Sequence, residues 1–336
     1  MDVPRGKWTV KATPVELPLA ERFTIARQSW ETTRNVFAEV SWEGTTGVGE
    51  SCPADRWNES PEAVAEAIDA VDLDGLAGPF DLEGVLGLLP AGSARCALDI
   101  ALHDLAAKLA GISVADLLGV GGRRLPPTSV TVPIAEHDRM VARAKGLADH
   151  PVIKMKVGFD GDVDAVAAVR EVYGHTIRID ANEGWSPDEA VERLGALARF
   201  DIELCEQPIP AGDIDALAKV AEASPIPVFA DEEVCTSSDV TRLAGAVAGV
   251  NLKLRKTGGI REFVRAVATA RSHGMRVMIG CDLETGIAAT AQASVAPFTD
   301  HADIDGPLLL ANDPHPGVVY DRGTVTIPAG PGLGVK

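Results

Sequence analysis

Val152-Ile153-Lys154-Met155-Lys156-Val157 is a short apolar run of strand character that carries two lysines. Side chains on a strand alternate between faces, so Lys154 and Lys156 share one face while Ile153, Met155 and Val157 take the other. Neighbouring ammonium groups repel and burial disfavours the charged form, so both effects push a lysine pKa down. A lysine that can lose its proton near neutral pH serves as a general base. A solvated edge strand would also carry Lys-x-Lys, so the rest of the chain has to separate the two readings.

From Leu125-Pro126-Pro127 onward, β-branched runs alternate with Ala- and Glu-rich helical segments. Strands are expected at 129–132, 152–157, 176–180, 202–206, 228–230, 250–254 and 276–279, with a weak eighth near 299–304. Eight strands alternating with helices over about 175 residues predict a (β/α)-barrel. An open doubly wound sheet is the alternative. No Gly-x-Gly-x-x-Gly follows the first strand and there is no Walker loop, which argues against it.

Before the barrel, alternation at Trp8, Val10 and Ala12, a strand at 36–42 and the turn Glu43-Gly44-Thr45-Thr46-Gly47 suggest a small sheet. Residues 23–35 between these strands read as a polar loop. Ser60-Pro61 opens a helix, with an N-cap followed by proline at the first helical position. A second helix from Ser93 repeats apolar residues at 3–4 spacing, which predicts one buried face. The expected organisation is an α+β capping domain over 1–122, a barrel over 123–308, and a Gly/Pro-rich segment over 309–336 that returns to the capping domain.

Net charge is −18, which argues against nucleic acid and against anionic membrane surfaces, since both need a basic face. The stretch 1–8 has no apolar core of the signal-peptide kind, and no apolar run is long enough to span a bilayer. Cys52, Cys96, Cys205, Cys235 and Cys281 are odd in number and contain no Cys-x-x-Cys. Reduced thiols and a cytoplasmic setting are therefore expected.

In a barrel the active site lies at the C-terminal ends of the strands. Those ends read Lys154/Lys156, Asp180, Glu206, Asp231 and Lys253 on five successive strands. The three carboxylates are 26 and 25 residues apart, one βα unit each. Converging carboxylates repel, and a hard divalent cation relieves that repulsion; oxygen ligands favour Mg²⁺ or Mn²⁺ over zinc.

These residues carry a resemblance. Lys154-Met155-Lys156, Asp180-Ala181-Asn182, Glu206-Gln207-Pro208, Ala230-Asp231-Glu232 and Asn251-Leu252-Lys253 through Gly259-Ile260 resemble the enolase superfamily, in its muconate-lactonizing branch. The helix around Ala94–Leu105 resembles the branch's marker helix, with His103 where Trp is usual. The resemblance spans nearly the whole chain. It implies a (β/α)₇β barrel with an N-terminal α+β cap, and one Mg²⁺ per subunit on Asp180, Glu206 and Asp231, with Mn²⁺ as the other option. It further implies that Lys156 and Lys253 face opposite sides of a substrate α-carbon and invert it by 1,1-proton transfer through an enediolate. Lys154 would lower the Lys156 pKa and help neutralise that enediolate.

The late motif Asp303-Ile304-Asp305 is similar to the Asp-x-Asp that grips the free ammonium of a dipeptide in dipeptide epimerases of this branch. An anionic pair there would repel a succinyl or muconate carboxylate. N-acylamino acid racemases, o-succinylbenzoate synthases and cycloisomerases on the same scaffold are the alternatives, and a non-catalytic binding protein would have no need of two opposed lysines. Arg27, Gln28, Asp282 and Thr131 are further substrate-facing candidates. In Ala-Glu epimerases of the family a basic residue meets the substrate carboxylate where Gln28 stands here. Asp282 is expected to add negative charge near the mouth and favour a cationic or neutral side chain. The expected partner is a small dipeptide, and a homo-oligomer is left open.

Overall fold

The structure is a computed structural model that describes residues 8–335. Residues 1–7, which make up nearly all of the stretch read above for a signal peptide, lie outside them. Three antiparallel strands open the chain in the order β1 (Trp8–Ile25), β2 (Gln28–Trp42) and β3 (Thr45–Ser51). β1 and β2 form one long hairpin that turns at Ala26-Arg27, with Ile25 opposite Gln28. The expected loop over 23–35 is therefore wrong. The tip extends beyond β3, and its buried positions Ile25, Thr33 and Asn35 mix apolar with polar residues, so no apolar–polar alternation marks a strand there. The hairpin is tied to the rest of the protein: Ile134 N–H donates to the Thr24 carbonyl (3.0 Å) and Ala311 N–H to the Pro18 carbonyl (2.9 Å).

The helix Pro61–Asp69 starts as expected, with the Ser60 side chain accepting from Ala63 N–H. The helix Ser93–Ala110 differs from expectation because it is buried on nearly all sides. One side packs so closely on β3 that a Cβ on Gly47 or Gly49 would overlap the carbonyl oxygens of Ala101 or Ala97. Its other side faces the barrel through Arg95 and Asp99.

Eight parallel strands follow: β4 (Val130–Val132), β5 (Val152–Lys156), β6 (Thr176–Asp180), β7 (Ile202–Glu206), β8 (Val228–Ala230), β9 (Gly249–Lys253), β10 (Arg276–Gly280) and β11 (His301–Asp303). They pair in chain order, and a parallel bridge between Thr128 and Ala302 joins the first edge to the last. Helices occupy all seven crossovers, which gives the (β/α)₇β architecture. The main core lies between strands and helices. Leu204, Phe229 and Met278 form a separate buried cluster, two residues before Glu206, Asp231 and Gly280 respectively. After β11 a short hairpin, β12 (Val319–Asp321) and β13 (Thr324–Thr326), leads the chain back to the capping layer. There Leu333 N–H donates to Asp104 (2.7 Å) and Gly332 bridges Ser113. Among the described residues no helix is long and apolar enough to cross a membrane.

Candidate active site

Strand register builds the site. Lys156, Asp180 and Glu206 stand side by side at the ends of β5, β6 and β7. Lys253, Gly280 and Asp303 form a matching row on β9, β10 and β11, and Asp231 directly follows β8. Lys156 Nζ donates to Asp180 Oδ2 at 2.7 Å, and Lys253 Nζ lies 3.1 Å from Asp231 Oδ2. Lys154, two residues deeper, is bonded to Asp303 and lies 3.1 Å from Glu206 Oε2 and 3.4 Å from Asp180 Oδ2. Both lysines of the opening strand are buried, so the solvated edge strand does not apply.

The electrostatics correct one expectation. Burial pulls the Lys154 ammonium down, but Asp303, Glu206 and Asp180 together hold it well above the ordinary lysine value. Lys253 is likewise raised: burial pulls it down, but Asp231, Asp282 and Glu206 together outweigh it. The carboxylates around each ammonium prevail over desolvation and over repulsion between lysines. Glu206 is pushed up to about 8, by burial first and then by the Asp180 carboxylate.

Asp180, Glu206 and Asp231 form an all-oxygen donor set on adjacent strands. Among the described residues no three His, Cys, Asp or Glu side chains already converge in ligand geometry, because these carboxylates are turned onto ammonium groups. Lys256, bonded to Asp231, and Asn251, whose Nδ2 donates to Glu206 Oε1 at 2.6 Å, complete the shell. The crowding that raises Glu206 is the chemistry a hard divalent cation satisfies, so the residues fit such an ion.

Asp303 accepts from Ser129 Oγ at 2.6 Å, and Asp305 accepts from Thr131 N–H at 2.7 Å. Asp305 lies past the end of β11, so the two aspartates do not share a strand face; both nevertheless line the same cleft. Asp303 is held low, since Lys154 overcomes burial, while burial and Asp303 raise Asp305.

The cleft has a volume of about 500 Å³ and is lined by Lys154, Lys156, Lys253, Asp231, Asp303, Asp305, Thr131, Arg27, Gln28 and Asp282. Arg27 is bonded to Glu183 and lies 2.7 Å from Glu232, while Gln28 is exposed beside it. Asp282 does not present a free charge: Arg255 Nε donates to it at 2.7 Å, and Lys253 is 3.7 Å away. Sequence reasoning missed Arg255, Lys256, Asn251, Glu183 and Glu232. The first three stand inside the quoted Asn251–Ile260 motif, where proximity to Lys253 was the available signal. Glu232 stands inside the quoted Ala230-Asp231-Glu232 motif, next to Asp231, whereas the ion pairs of Glu183 have no local signature.

The capping layer holds the site loops. Buried Glu50 accepts from Thr285 Oγ1 (2.6 Å), Thr285 N–H and Ala288 N–H at the start of the helix Gly286–Val295, a favoured place for an anion. Arg95 donates to the carbonyls of Thr257 and Gly258 at 2.8 and 3.0 Å. These anchors set the loops after β9 and β10, which carry Arg255 and Asp282.

Two family models cover almost the whole chain: the mandelate racemase / muconate lactonizing enzyme N-terminal domain at 7–119 and the enolase C-terminal domain-like model at 135–336. An L-Ala-D/L-Glu epimerase of Bacteroides thetaiotaomicron is 38% identical over 98% of this chain and 88% of its own. An L-Ala-D/L-amino acid epimerase of Pedosphaera parvula is 38% identical over 96% of each. The dipeptide epimerase of Cytophaga hutchinsonii, solved with Mg and D-Ala-L-Val, superposes with a TM-score of 0.90 at 31% identity, over 98% of this chain and 95% of that one. With its fold, its strand-end lysines and carboxylates and both domain models in agreement, the chain belongs to the enolase superfamily, among the mandelate racemase and muconate-lactonizing enzymes.

Proposed function

We propose that this protein is a Mg²⁺-dependent dipeptide epimerase that inverts the α-carbon of the C-terminal residue of its substrate. The observation that carries this reading is the placement of Lys156 and Lys253 against different members of one carboxylate cluster, Asp180 and Asp231, beside the aspartates of the 303–305 segment. The named relatives and the Mg- and dipeptide-bound neighbour support the same reading.

Asp180, Glu206 and Asp231 would hold one divalent cation, with Mn²⁺ able to use the same oxygens. When bound, the cation offsets the charge of the substrate carboxylate and acidifies the α-proton, as is general for enolase-superfamily sites. One of the two lysines, in its neutral form, takes that proton, and the other, as an ammonium, returns one to the opposite face. Lys154 supplies a fixed positive charge beside Lys156. Asp303 and Asp305 pair with the α-ammonium of the N-terminal residue. That anionic pair disfavours the N-acyl and muconate substrates of the alternative enzymes. A cytoplasmic setting and the absence of nucleic-acid or membrane partners accord with the net charge of −18 and the five free cysteines.

The test is α-proton exchange in D₂O with Mg²⁺, followed by ¹H NMR on L-Ala-L-Xaa dipeptides and N-succinylamino acids. The expected result is loss of the C-terminal α-proton signal in dipeptides alone, abolished by EDTA and restored by Mg²⁺. Exchange confined to the N-succinyl set would replace this reading with a racemase.

A further inference from the structure

The guanidinium groups at the mouth are already matched to carboxylates of the protein. Arg27 is bonded to Glu183 and lies 2.7 Å from Glu232. Arg56 meets Glu183 twice, at 2.6 and 2.7 Å. Arg255 is paired with Asp282 at 2.7 Å, with its guanidinium 5.9 Å from the Trp57 ring centroid. Only Arg34, half-exposed at the rim, has a partner that is itself open to solvent, Glu62; such pairs contribute little. Glu183 is therefore shared by two cations. Its side chain is 8% exposed, it stands behind the lining of the cleft, and its Oε1 also accepts from Ala211 N–H at 2.7 Å. The residue sits in the left-handed region (φ 68°), a conformation that surrounding structure must hold.

Resting on the epimerase reading above, we propose that Glu183 is a specificity-determining residue that acts through Arg27 and Arg56, taking up their charge so that the cleft selects dipeptides with apolar rather than acidic side chains. An entering side-chain carboxylate would lose water, compete with a buried carboxylate for the same donors, and be repelled by it. The apolar walls suit the opposite chemistry: Phe23, Trp30, Trp57, Leu283 and Leu309 line the cleft. Phe23 and Trp30 pack with centroids 6.2 Å apart, and with Leu283 they back onto a small cluster of Leu17, Leu19 and Leu310.

The test compares kcat/KM for L-Ala-L-Leu, L-Ala-L-Phe and L-Ala-L-Glu in the wild-type enzyme and in Glu183→Gln, which keeps the size and the acceptor for Ala211. The wild type is expected to favour the apolar substrates by roughly tenfold or more, and the variant to move that ratio toward L-Ala-L-Glu by a similar factor, chiefly through KM. A purely structural role would lower all three substrates alike and leave the ratio unchanged, which would overturn the proposal. So would a wild-type preference for L-Ala-L-Glu, a result that needs no variant to fold. Absence of exchange from every dipeptide would instead remove the epimerase reading on which the inference stands.

Discussion

The carboxylate of Asp99 accepts a 2.6 Å hydrogen bond from the backbone N–H of Ile260, and both residues are fully buried. Asp99 belongs to the helix Ser93–Ala110, whereas Ile260 opens the helix that follows the Lys256-Thr257-Gly258-Gly259 turn. The bond satisfies a helix N-terminus from outside that helix. A side chain on Gly259, where φ is 110°, would overlap Asp99. The capping layer thus holds the turn that fixes the end of β9, where Lys253 stands. Asp99→Ala is expected to lose about 1–3 kcal/mol of stability from the orphaned donor, read from the urea midpoint. It should also lower kcat by roughly 10- to 100-fold through misplacement of Lys253. A lower midpoint with unchanged kcat would show that the grip serves stability alone.

Gly280 leaves room for Asn251. A Cβ at position 280 would lie 2.5 Å from Asn251 Oδ1 and 2.6 Å from Nδ2, and that amide donates to Glu206. Gly280→Ala therefore pushes a supporting group away from a proposed ligand. Mg²⁺ affinity, measured by titration calorimetry, should weaken by about 10- to 100-fold, the usual cost of losing an outer partner. Unchanged affinity in a folded variant would mean that Glu206 does not depend on Asn251.

At the other end of the barrel, His301 Nδ1 lies 3.1 Å from a guanidinium nitrogen of Arg178, so that ring nitrogen is the acceptor. Its Nε2 is buried without a hydrogen-bond partner. Burial, with Arg178 next, lowers the imidazole from 6.5 to about 4, and the nearby carboxylate of Glu203 at 3.7 Å only partly opposes this. Between those values the unfolded chain holds the proton and the folded chain does not. Stability from this group is therefore fully present above about pH 6.5 and is lost as pH falls toward about 4, by up to roughly 3 kcal/mol. His301→Asn keeps an acceptor for Arg178 but cannot titrate. Chemical denaturation at pH 7.5, 6, 5 and 4.5 should show the wild type losing stability faster than the variant. Parallel curves would assign the acid sensitivity elsewhere.

The placement of Asp180, Glu206 and Asp231 at the barrel mouth was legible because inward-facing residues repeat with period two and each barrel unit has nearly constant length. Asp99, His103 and Asp104 were harder. They stand in the helix whose apolar spacing predicts a single buried face, yet all three are buried, and the two aspartates bond to backbone N–H groups of distant segments, as Asp104 does to Val48 at 2.8 Å. The hairpin tip at 23–35 failed for a related reason: Thr33 and Asn35 are buried but polar, so no apolar alternation marks the strand. The charge state of the mouth was not legible at all, because Arg27 meets Glu183 and Glu232 across more than 150 residues of chain.

Because Lys156 and Lys253 contact Asp180 and Asp231 separately, removing one leaves the other in place. If each serves one face of the α-carbon, epimerisation needs both, whereas exchange of a proton with solvent needs one. Lys156→Met and Lys253→Met should each lower interconversion of the two epimers by at least about 10³-fold, in line with loss of a proton-transfer group at its upper range. Each variant should still exchange the α-proton of one epimer in D₂O, and the two variants should retain opposite epimers. The measurement is ¹H NMR of each pure epimer with each variant, alongside thermal denaturation to establish that the variants fold. Loss of all exchange in both variants would contradict independent bases on two faces. Retention of the same epimer by both would assign the proton transfer to a group other than these lysines.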